Sequence, residues 1–180
     1  MQTKADIRKF ILEKRKGADI EKISEKIAKK LLSLHEFAEC DTVFCYFSVG
    51  DEISTEKIIR SALNIGKRVA LPVTKSDFSL DFYYYDIGTP MQRGKFNIPE
   101  PPRTERARAT ERSLCIVPAL AINEEGHRVG YGKGCYDRFL NNFKGKTVGL
   151  AAEYGILPFE ADVTDIPLDA AVTEKRIIRF

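Results

Sequence analysis

The sequence predicts an α/β protein in which helices flank a mostly parallel, Rossmann-like sheet. Short runs rich in β-branched and aromatic residues alternate with segments that repeat apolar residues at helical spacing. The run TVFCYFSV, residues 42–49, is followed by a helical segment and then by the run RVALPV, residues 68–73, which is the order of a βαβ unit. Strands that alternate with helices in this way form parallel sheets with right-handed crossovers.

The length and composition of the chain indicate that residues 1–180 form a single domain. The chain has 180 residues, of which 43% are hydrophobic, and a net charge of +3 that is spread along its length, so small anionic ligands are better partners than nucleic acid. No apolar run is long enough for a membrane span, and the start MQTKADIRKF lacks a signal-peptide pattern, so we expect a cytoplasmic monomer. The four cysteines form no CxxC pair and predict reduced core thiols.

Each further element follows from a local pattern. Thr3 and Asp6 have the spacing of a capping box, and the first helix is expected to end near Lys16, before Gly17. Isoleucines and leucines at helical spacing predict a second helix over residues 20–34. The same reasoning predicts helices at 54–66 and 136–143, strands at 80–87, 113–122, 147–152 and 170–173, and a surface excursion at 98–112.

The stretch GHRVGYGKGCYDRFL, residues 126–140, predicts an anion-binding loop. Gly130, Gly132 and Gly134 alternate with other residues around Lys133, just before a helix, where free N–H groups and the helix dipole favour an anion. The loop fits neither the Walker A pattern nor the dinucleotide fingerprint, whose third glycine would fall at Cys135. Because the strand predicted at 113–122 leads into it, the loop should lie at the carboxyl edge of the sheet, where such folds bind ligands.

Charged residues beside the loop have two readings each. Arg128 and Lys133 bracket the glycines and suit a polyphosphate, although glycine-rich turns also occur without a ligand. Asp137, in the first turn of the helix, is either a helix-capping residue or a Mg²⁺ ligand. Lys4 and Arg8 share one face of the first helix, and are either a solvated basic face or a pair that an anion would hold together.

Two carboxylates elsewhere are weaker candidates. Glu52 follows the strand at 42–49 and is either a turn residue or a hydrogen-bond partner for a polar heterocycle. Asp169 directly precedes the strand at 170–173 and is either a solvated loop residue or a group that faces the same crevice as the loop. Asp165 is expected to be a solvated loop residue. His35 and His127 show no metal spacing and are assigned no catalytic role.

Five segments together resemble the 5-formyltetrahydrofolate cyclo-ligase family in their order and approximate spacing. They are KADIR, YFSVGDEIST, KFNIPEP, VPALAINEEGHRVGYGKGCYDRFL and DIPLDAAVTE. The fourth segment is the specific one, and the resemblance extends over nearly the whole chain. It implies a single α/β domain that uses ATP and Mg²⁺ to cyclise 5-formyltetrahydrofolate, with or without a polyglutamate tail, to 5,10-methenyltetrahydrofolate. ADP and phosphate would leave by way of a phosphorylated formyl intermediate.

The resemblance also implies roles for individual residues. Those expected to hold ATP are Lys4, Arg8, Arg128, Gly130, Gly132, Lys133, Gly134 and Asp137, with Arg128 and Lys133 catalytic. Those expected to serve Mg²⁺ are Asp137 and Asp169. Those expected to shape the folate pocket are Phe47, Glu52, Phe96, Tyr131, Cys135 and Tyr136.

Two positions depart from the family pattern. The family usually has an aspartate where this chain has Asn123, and a tyrosine where it has Cys135. These departures keep open an alternative, a nucleotide-binding protein of the same fold that has lost the reaction. A sugar-phosphate isomerase or transferase on a related sheet is a third reading, and it would need no ATP. At a helix start beside Lys133, the Cys135 thiol is expected to have a lowered pKa.

Overall fold

A computed structural model describes residues 3–180. The five α-helices of these residues are α1 Lys4–Lys16, α2 Ile20–Leu32, α3 His35–Glu39, α4 Glu56–Asn64 and α5 Cys135–Leu140. The strands are β1 Thr42–Cys45, β2 Arg68–Thr74, β3 Leu80–Tyr85, β4 Gln92–Arg93, β5 Pro99–Glu100, β6 Ser113–Pro118, β7 Ala121–Ile122, β8 Arg128–Val129, β9 Lys146–Leu150, β10 Ala170–Val172 and β11 Ile177–Arg179. No helix among the described residues is long and apolar enough to cross a membrane.

A seven-stranded sheet forms the centre, in the order β11-β10-β9-β6-β1-β2-β3. The five strands from β10 to β2 are parallel, and the two edge strands, β3 and β11, are antiparallel to their neighbours. This confirms the mostly parallel α/β fold and the β1-α4-β2 unit. Parallel strands need covered faces, and here α2 and α4 pack on one face while α5 and a cluster of phenylalanines cover the other.

The first helix begins as its sequence predicts. The Thr3 side chain accepts the Asp6 N–H at 3.2 Å, and the Asp6 carboxylate accepts the Thr3 N–H at 3.1 Å, which completes the capping box. On the buried face of α1, Ile7 and Ile11 pack against the β7–β8 hairpin. The packing sets α1 beside the segment that follows β8.

The strand predicted at 113–122 is two separate strands, which corrects the prediction. β6 ends at Pro118, which has no N–H to donate to a continuing ladder. The chain then leaves the main sheet and forms a two-stranded hairpin, β7–β8. Asn123 shapes its turn, because its side-chain oxygen accepts the N–H groups of Glu125 at 3.1 Å and His127 at 2.9 Å. The glycine loop therefore follows the hairpin rather than a strand of the sheet.

Candidate functional site

A cleft of about 1210 Å³ opens at the carboxyl ends of β1, β2 and β6. Its walls come from α1, the loop after β1, the glycine loop with the start of α5, and the segment 162–166. A cleft outside the carboxyl ends of parallel strands is where α/β sheets bind ligands. The volume exceeds the usual range for small-molecule sites and has room for two ligands side by side.

The cleft brings together nearly all of the residues that the sequence singles out. Those on its wall are Lys4, Arg8, Phe47, Glu52, Phe96, Arg128, Gly130, Tyr131, Gly132, Lys133, Gly134, Cys135, Tyr136 and Asp137. They come from segments more than 100 residues apart in the chain, so their convergence is a property of the fold.

The glycine loop has the backbone geometry that glycine allows. Gly132 has φ +89° and Gly134 has φ +62°, both in the region that other residues rarely adopt. A Cβ on Gly132 would stand 3.3 Å from the guanidinium carbon of Arg8, whereas a Cβ on Gly130 would meet no atom within 4 Å. The Arg8 Nε donates to the Gly130 carbonyl at 2.7 Å. The Arg8 side chain thus ties the loop to α1.

Arg128 and Asp137 form an ion pair at the floor of the loop. The Arg128 Nη2 lies 3.1 Å from Oδ1 of Asp137, and the arginine side chain is only 4% exposed. Arg128 also donates to the Ile166 carbonyl at 3.3 Å, and the Ile166 N–H donates to the same Asp137 Oδ1 at 3.3 Å. Both side-chain contacts of Asp137 use Oδ1, and no residue of the described part of the chain hydrogen-bonds to the second carboxylate oxygen of this cleft-lining residue.

The two lysines of the cleft differ in their surroundings. Lys133 is exposed, its Nζ lies 5.4 Å from the centre of the Phe78 ring, and no described residue offers it a carboxylate. Lys4 instead pairs with Asp162 at 2.6 Å and with Asp165. Burial lowers the pKa of Lys4, but the hydrogen bonds that Lys4 donates to the two aspartates outweigh it and hold that pKa above its ordinary value.

The cleft is also lined by aromatic rings and by the Glu52 carboxylate, which together are called the aromatic wall here. Glu52 accepts the Val49 N–H at 3.0 Å, and burial raises its pKa although this hydrogen bond and the nearby Arg15 oppose the shift. The Tyr131 hydroxyl accepts a hydrogen bond from Arg15 at 3.1 Å. The walls are lined further by Phe47, Phe96 and Tyr136. Aromatic rings beside a carboxylate suit a flat, hydrogen-bonding heterocycle.

Two site predictions need correction, and the first concerns Asp169. This residue lies at the amino ends of β9 and β10, where it accepts hydrogen bonds from Lys146 at 3.0 Å and from the Thr147 N–H at 2.8 Å. The cleft lies at the other ends of these parallel strands, about 10 Å further along. Asp169 is not among the residues that line the cleft, so the structure does not bring it to Asp137.

The second correction concerns Cys135. It lies on the wall of the cleft, as expected, but its pKa is raised rather than lowered. Burial is the dominant cause and outweighs the nearby positive charge of Arg138. The short α5 and an exposed lysine do not offset the desolvation of the thiolate.

Sequence reasoning missed three charged residues of this region. Asp165 is mostly buried and paired with Lys4, although the pattern indicated a solvated loop residue. Glu100 lines the cleft and accepts the Thr74 N–H at 2.9 Å. Arg15 is buried and donates a hydrogen bond to the Tyr131 hydroxyl. For Arg15 a signal existed, because it continues the apolar spacing of Ile7 and Ile11 on α1.

The fold and the cleft define an α/β ligand-binding protein of the Rossmann-like kind, in which a basic glycine loop and aromatic side chains line one cleft. The description of the 5-formyltetrahydrofolate cyclo-ligase family matches residues 1–174, and the chain belongs to this family. Members of the family are named as ligases, so the chain is an enzyme of the ligase class.

Relatives and a solved structure agree with this assignment. The chain is 34% identical over 134 residues to the 5-formyltetrahydrofolate cyclo-ligase of Haemophilus influenzae, covering 71% of this chain and 72% of the relative. It is 30% identical over 167 residues to the enzyme of that name from Escherichia coli, covering 87% and 91%. The NMR structure of Aquifex aeolicus 5,10-methenyltetrahydrofolate synthetase is 33% identical, with a TM-score of 0.84 and coverage of 99% and 93%.

Proposed function

We propose that this chain cyclises 5-formyltetrahydrofolate to 5,10-methenyltetrahydrofolate, at the expense of ATP and with Mg²⁺. The substrate and product follow the names of the relatives. One observation carries the rest of the proposal: a single cleft joins a basic glycine loop to an aromatic wall with a carboxylate. Two different substrates, one polyanionic and one heterocyclic, need such a divided site.

The glycine loop is assigned to the phosphates of ATP. Gly130, Gly132 and Gly134 bring backbone close to the ligand, and the open space over Gly130 leaves room for it. Lys133 supplies a positive charge that no described carboxylate neutralises, and Arg8 and Lys4 extend the basic wall. Lys4 would have to exchange part of its contact with Asp162 or Asp165 for a phosphate oxygen.

The reaction needs no nucleophile from the protein. The formyl oxygen attacks the γ-phosphorus of ATP, the bond to the β–γ bridging oxygen breaks, and ADP leaves. N10 then adds to the activated formyl carbon and loses its proton, and phosphate departs with the former formyl oxygen. Positioning and charge neutralisation carry most of such a phosphoryl transfer, which is what Arg128 and Lys133 offer.

The residues of the cleft fit a Mg²⁺ ion that is brought in largely by phosphate. Among residues 3–180 no three His, Cys, Asp or Glu side chains form a metal cage, and Mg²⁺ commonly binds through one or two carboxylates together with phosphates and water. Asp137 is the carboxylate assigned to it, since its second oxygen is available. When bound, the ion neutralises charge that develops on the transferring phosphoryl group.

The aromatic wall is assigned to the folate. Glu52 would accept hydrogen bonds from the N–H groups of the pterin, which requires its ionised form. Phe47, Phe96, Tyr131 and Tyr136 would contact the ring faces, and Cys135 takes the place of a further aromatic ring. All assigned residues belong to one chain, so we propose that residues 1–180 act as a single catalytic domain and that a monomer is sufficient.

The test is an absorbance assay for the conjugated methenyl product. Purified protein is incubated with 5-formyltetrahydrofolate, ATP and Mg²⁺, and near-ultraviolet absorbance should rise at a rate that disappears when ATP is omitted or Mg²⁺ is chelated. Release of ADP and phosphate should match the product one to one.

Two results would contradict the proposal. ATP that binds without any methenyl product would favour a nucleotide-binding protein that has lost the reaction. Product formed without ATP would exclude phosphoryl transfer altogether.

A further inference from the structure

Arg15 occupies a position where the pattern of α1 calls for an apolar residue. Ile7, Ile11 and Arg15 follow one another at intervals of four, on one face of the helix, and the two isoleucines are fully buried. Arg15 is only 6% exposed. A buried charge is unfavourable unless the surroundings repay its desolvation, so the partners of this guanidinium are informative.

The direct partners of Arg15 are few for a group with five donors. Its Nη1 donates to the Tyr131 hydroxyl at 3.1 Å, and its Nη2 to the Ala119 carbonyl at 3.5 Å. Oδ1 of Asp51 lies 4.0 Å away. These contacts hold the guanidinium beside the Tyr131 hydroxyl, yet none is a close ion pair.

A small internal cavity lies beside the Arg15 guanidinium. It has a volume of about 10 Å³, close to the smallest that holds one water, and Arg15, Tyr46, Glu52 and Tyr131 all line it. Arg15 and Glu52 therefore border the same small cavity, and Arg15 is near enough for its charge to lower the pKa of Glu52. Glu52 and Tyr131 also line the main cleft on their other sides, whereas Arg15 does not.

The charged and titratable groups around this pair come from several elements. Those that interact with Glu52 are Arg15 of α1, Asp51 of the same loop, Tyr46 after β1, Tyr131 of the glycine loop and Tyr136 of α5. Beyond Arg15 lie Tyr154 and Glu174. Arg15 is the one positive charge in this set, so it alone opposes the effect of burial on Glu52 by attraction.

We propose that Arg15 is a positioning residue for the aromatic wall. Arg15 keeps Glu52 ionised and holds the Tyr131 side chain, without touching the substrate itself. The inference rests on the proposed function, since it says that Arg15 acts on the part of the cleft that is assigned to folate. It predicts that the loss of Arg15 affects 5-formyltetrahydrofolate and leaves the use of ATP almost unchanged.

The test compares Arg15→Met, Arg15→Lys and the wild type over pH 5 to 8. Burial raises the pKa of Glu52 and Arg15 lowers it, so removing the charge should move the acid limb of kcat/KM for folate upward by about one pH unit. In Arg15→Lys, which keeps the charge but loses the planar fork, the limb should stay within about 0.3 unit while KM for folate rises roughly threefold to tenfold. KM for ATP should stay within about twofold of the wild type in both.

Two controls separate this role from a purely structural one. Arg103→Met removes an exposed arginine outside the cleft and should leave every profile unchanged. In Glu52→Gln no carboxylate remains to titrate, so adding Arg15→Met should produce no further shift of the acid limb. Should Arg15→Met fail to fold, the comparison of Arg15→Lys with Glu52→Gln/Arg15→Lys still measures the coupling through KM for folate.

The inference and the proposed function fail differently. If the wild type forms no methenyl product, the proposed function is wrong. If it does, but the Arg15 variants lose activity equally at every pH with KM for ATP and folate both raised, Arg15 merely supports the fold and the inference is overturned. Calorimetric titration with 5-formyltetrahydrofolate alone provides an independent readout, and the same pH shift should appear in its Kd.

Discussion

Replacing Gly132 by alanine tests whether the glycine loop is a preformed cradle. Its φ of +89° costs an L-residue about 1–2 kcal/mol. For a chain of this size each kcal/mol lowers Tm by roughly 2–4 °C, so Gly132→Ala should melt about 2–8 °C below the wild type. The new Cβ would also stand 3.3 Å from the Arg8 guanidinium carbon and displace a side chain that holds the loop to α1.

The kinetic effect should fall on ATP. A hydrogen bond to a charged group contributes about 1.5–3 kcal/mol. If Gly132→Ala removes half of the free energy of one such bond to phosphate, KM for ATP rises roughly threefold to tenfold. Gly130→Ala is the matched control for strain: its backbone lies outside the positive-φ region, and its Cβ would meet no protein atom within 4 Å. It should keep Tm within about 1 °C of the wild type and impair only the use of ATP.

Differential scanning calorimetry and steady-state kinetics give the two readouts. Equal melting temperatures for the two variants, with unchanged KM for ATP in both, would refute the account of the loop. A loss of stability in Gly132→Ala with normal use of ATP would show that the loop is strained for reasons other than phosphate binding.

Three further predictions concern single side chains of the cleft. Lys133→Ala should lower kcat/KM at least tenfold, since a charge beside the transferring phosphate contributes on the order of 1.4 kcal/mol or more. The control is Lys144→Ala, which replaces an exposed lysine outside the cleft. Equal kinetics in the two variants would show that Lys133 does not belong to the site. Asp137→Asn should raise the Mg²⁺ concentration for half-maximal rate about tenfold. It should also lower Tm, because buried Arg128 loses its counter-ion. A lower Tm with an unchanged Mg²⁺ requirement would show that Asp137 serves only the ion pair with Arg128. Burial raises the pKa of Cys135, so iodoacetamide should label this thiol more slowly than a free cysteine at pH 7.5. Bound 5-formyltetrahydrofolate should slow the labelling further. Fast labelling, or labelling that folate does not change, would contradict the place of Cys135 on the cleft wall.

Features with local causes could be predicted from the sequence. The capping box of α1 needs only Thr3 and Asp6, and the β1-α4-β2 unit follows from hydrophobic periodicity. The glycine loop was recognisable because the positive φ values of Gly132 and Gly134 demand glycine whatever the rest of the fold does. These signals also locate most of the candidate site, since the loop itself carries much of the cleft wall.

Features that depend on distant parts of the chain could not be predicted. Asp165 is buried because the fold brings it to Lys4, 161 positions earlier in the chain. Asp169 was misplaced because its carboxylate is taken up by Lys146 and Thr147, which lie 23 and 22 positions earlier in the chain. The division of residues 113–122 into two strands depends on where β9 and the hairpin lie, and only Pro118 hints at it. In each case a tertiary contact decides between readings that are locally equivalent.

Transfer of an oxygen isotope tests the proposed chemistry most directly. The substrate is 5-formyltetrahydrofolate with ¹⁸O in the formyl group, incubated with the enzyme, ATP and Mg²⁺ in unlabelled water, and the released phosphate is analysed by mass spectrometry. If the formyl oxygen attacks the γ-phosphorus, each phosphate released with methenyl product should carry one ¹⁸O. Phosphate without the label, formed in step with the methenyl product, would contradict a phosphorylated formyl intermediate.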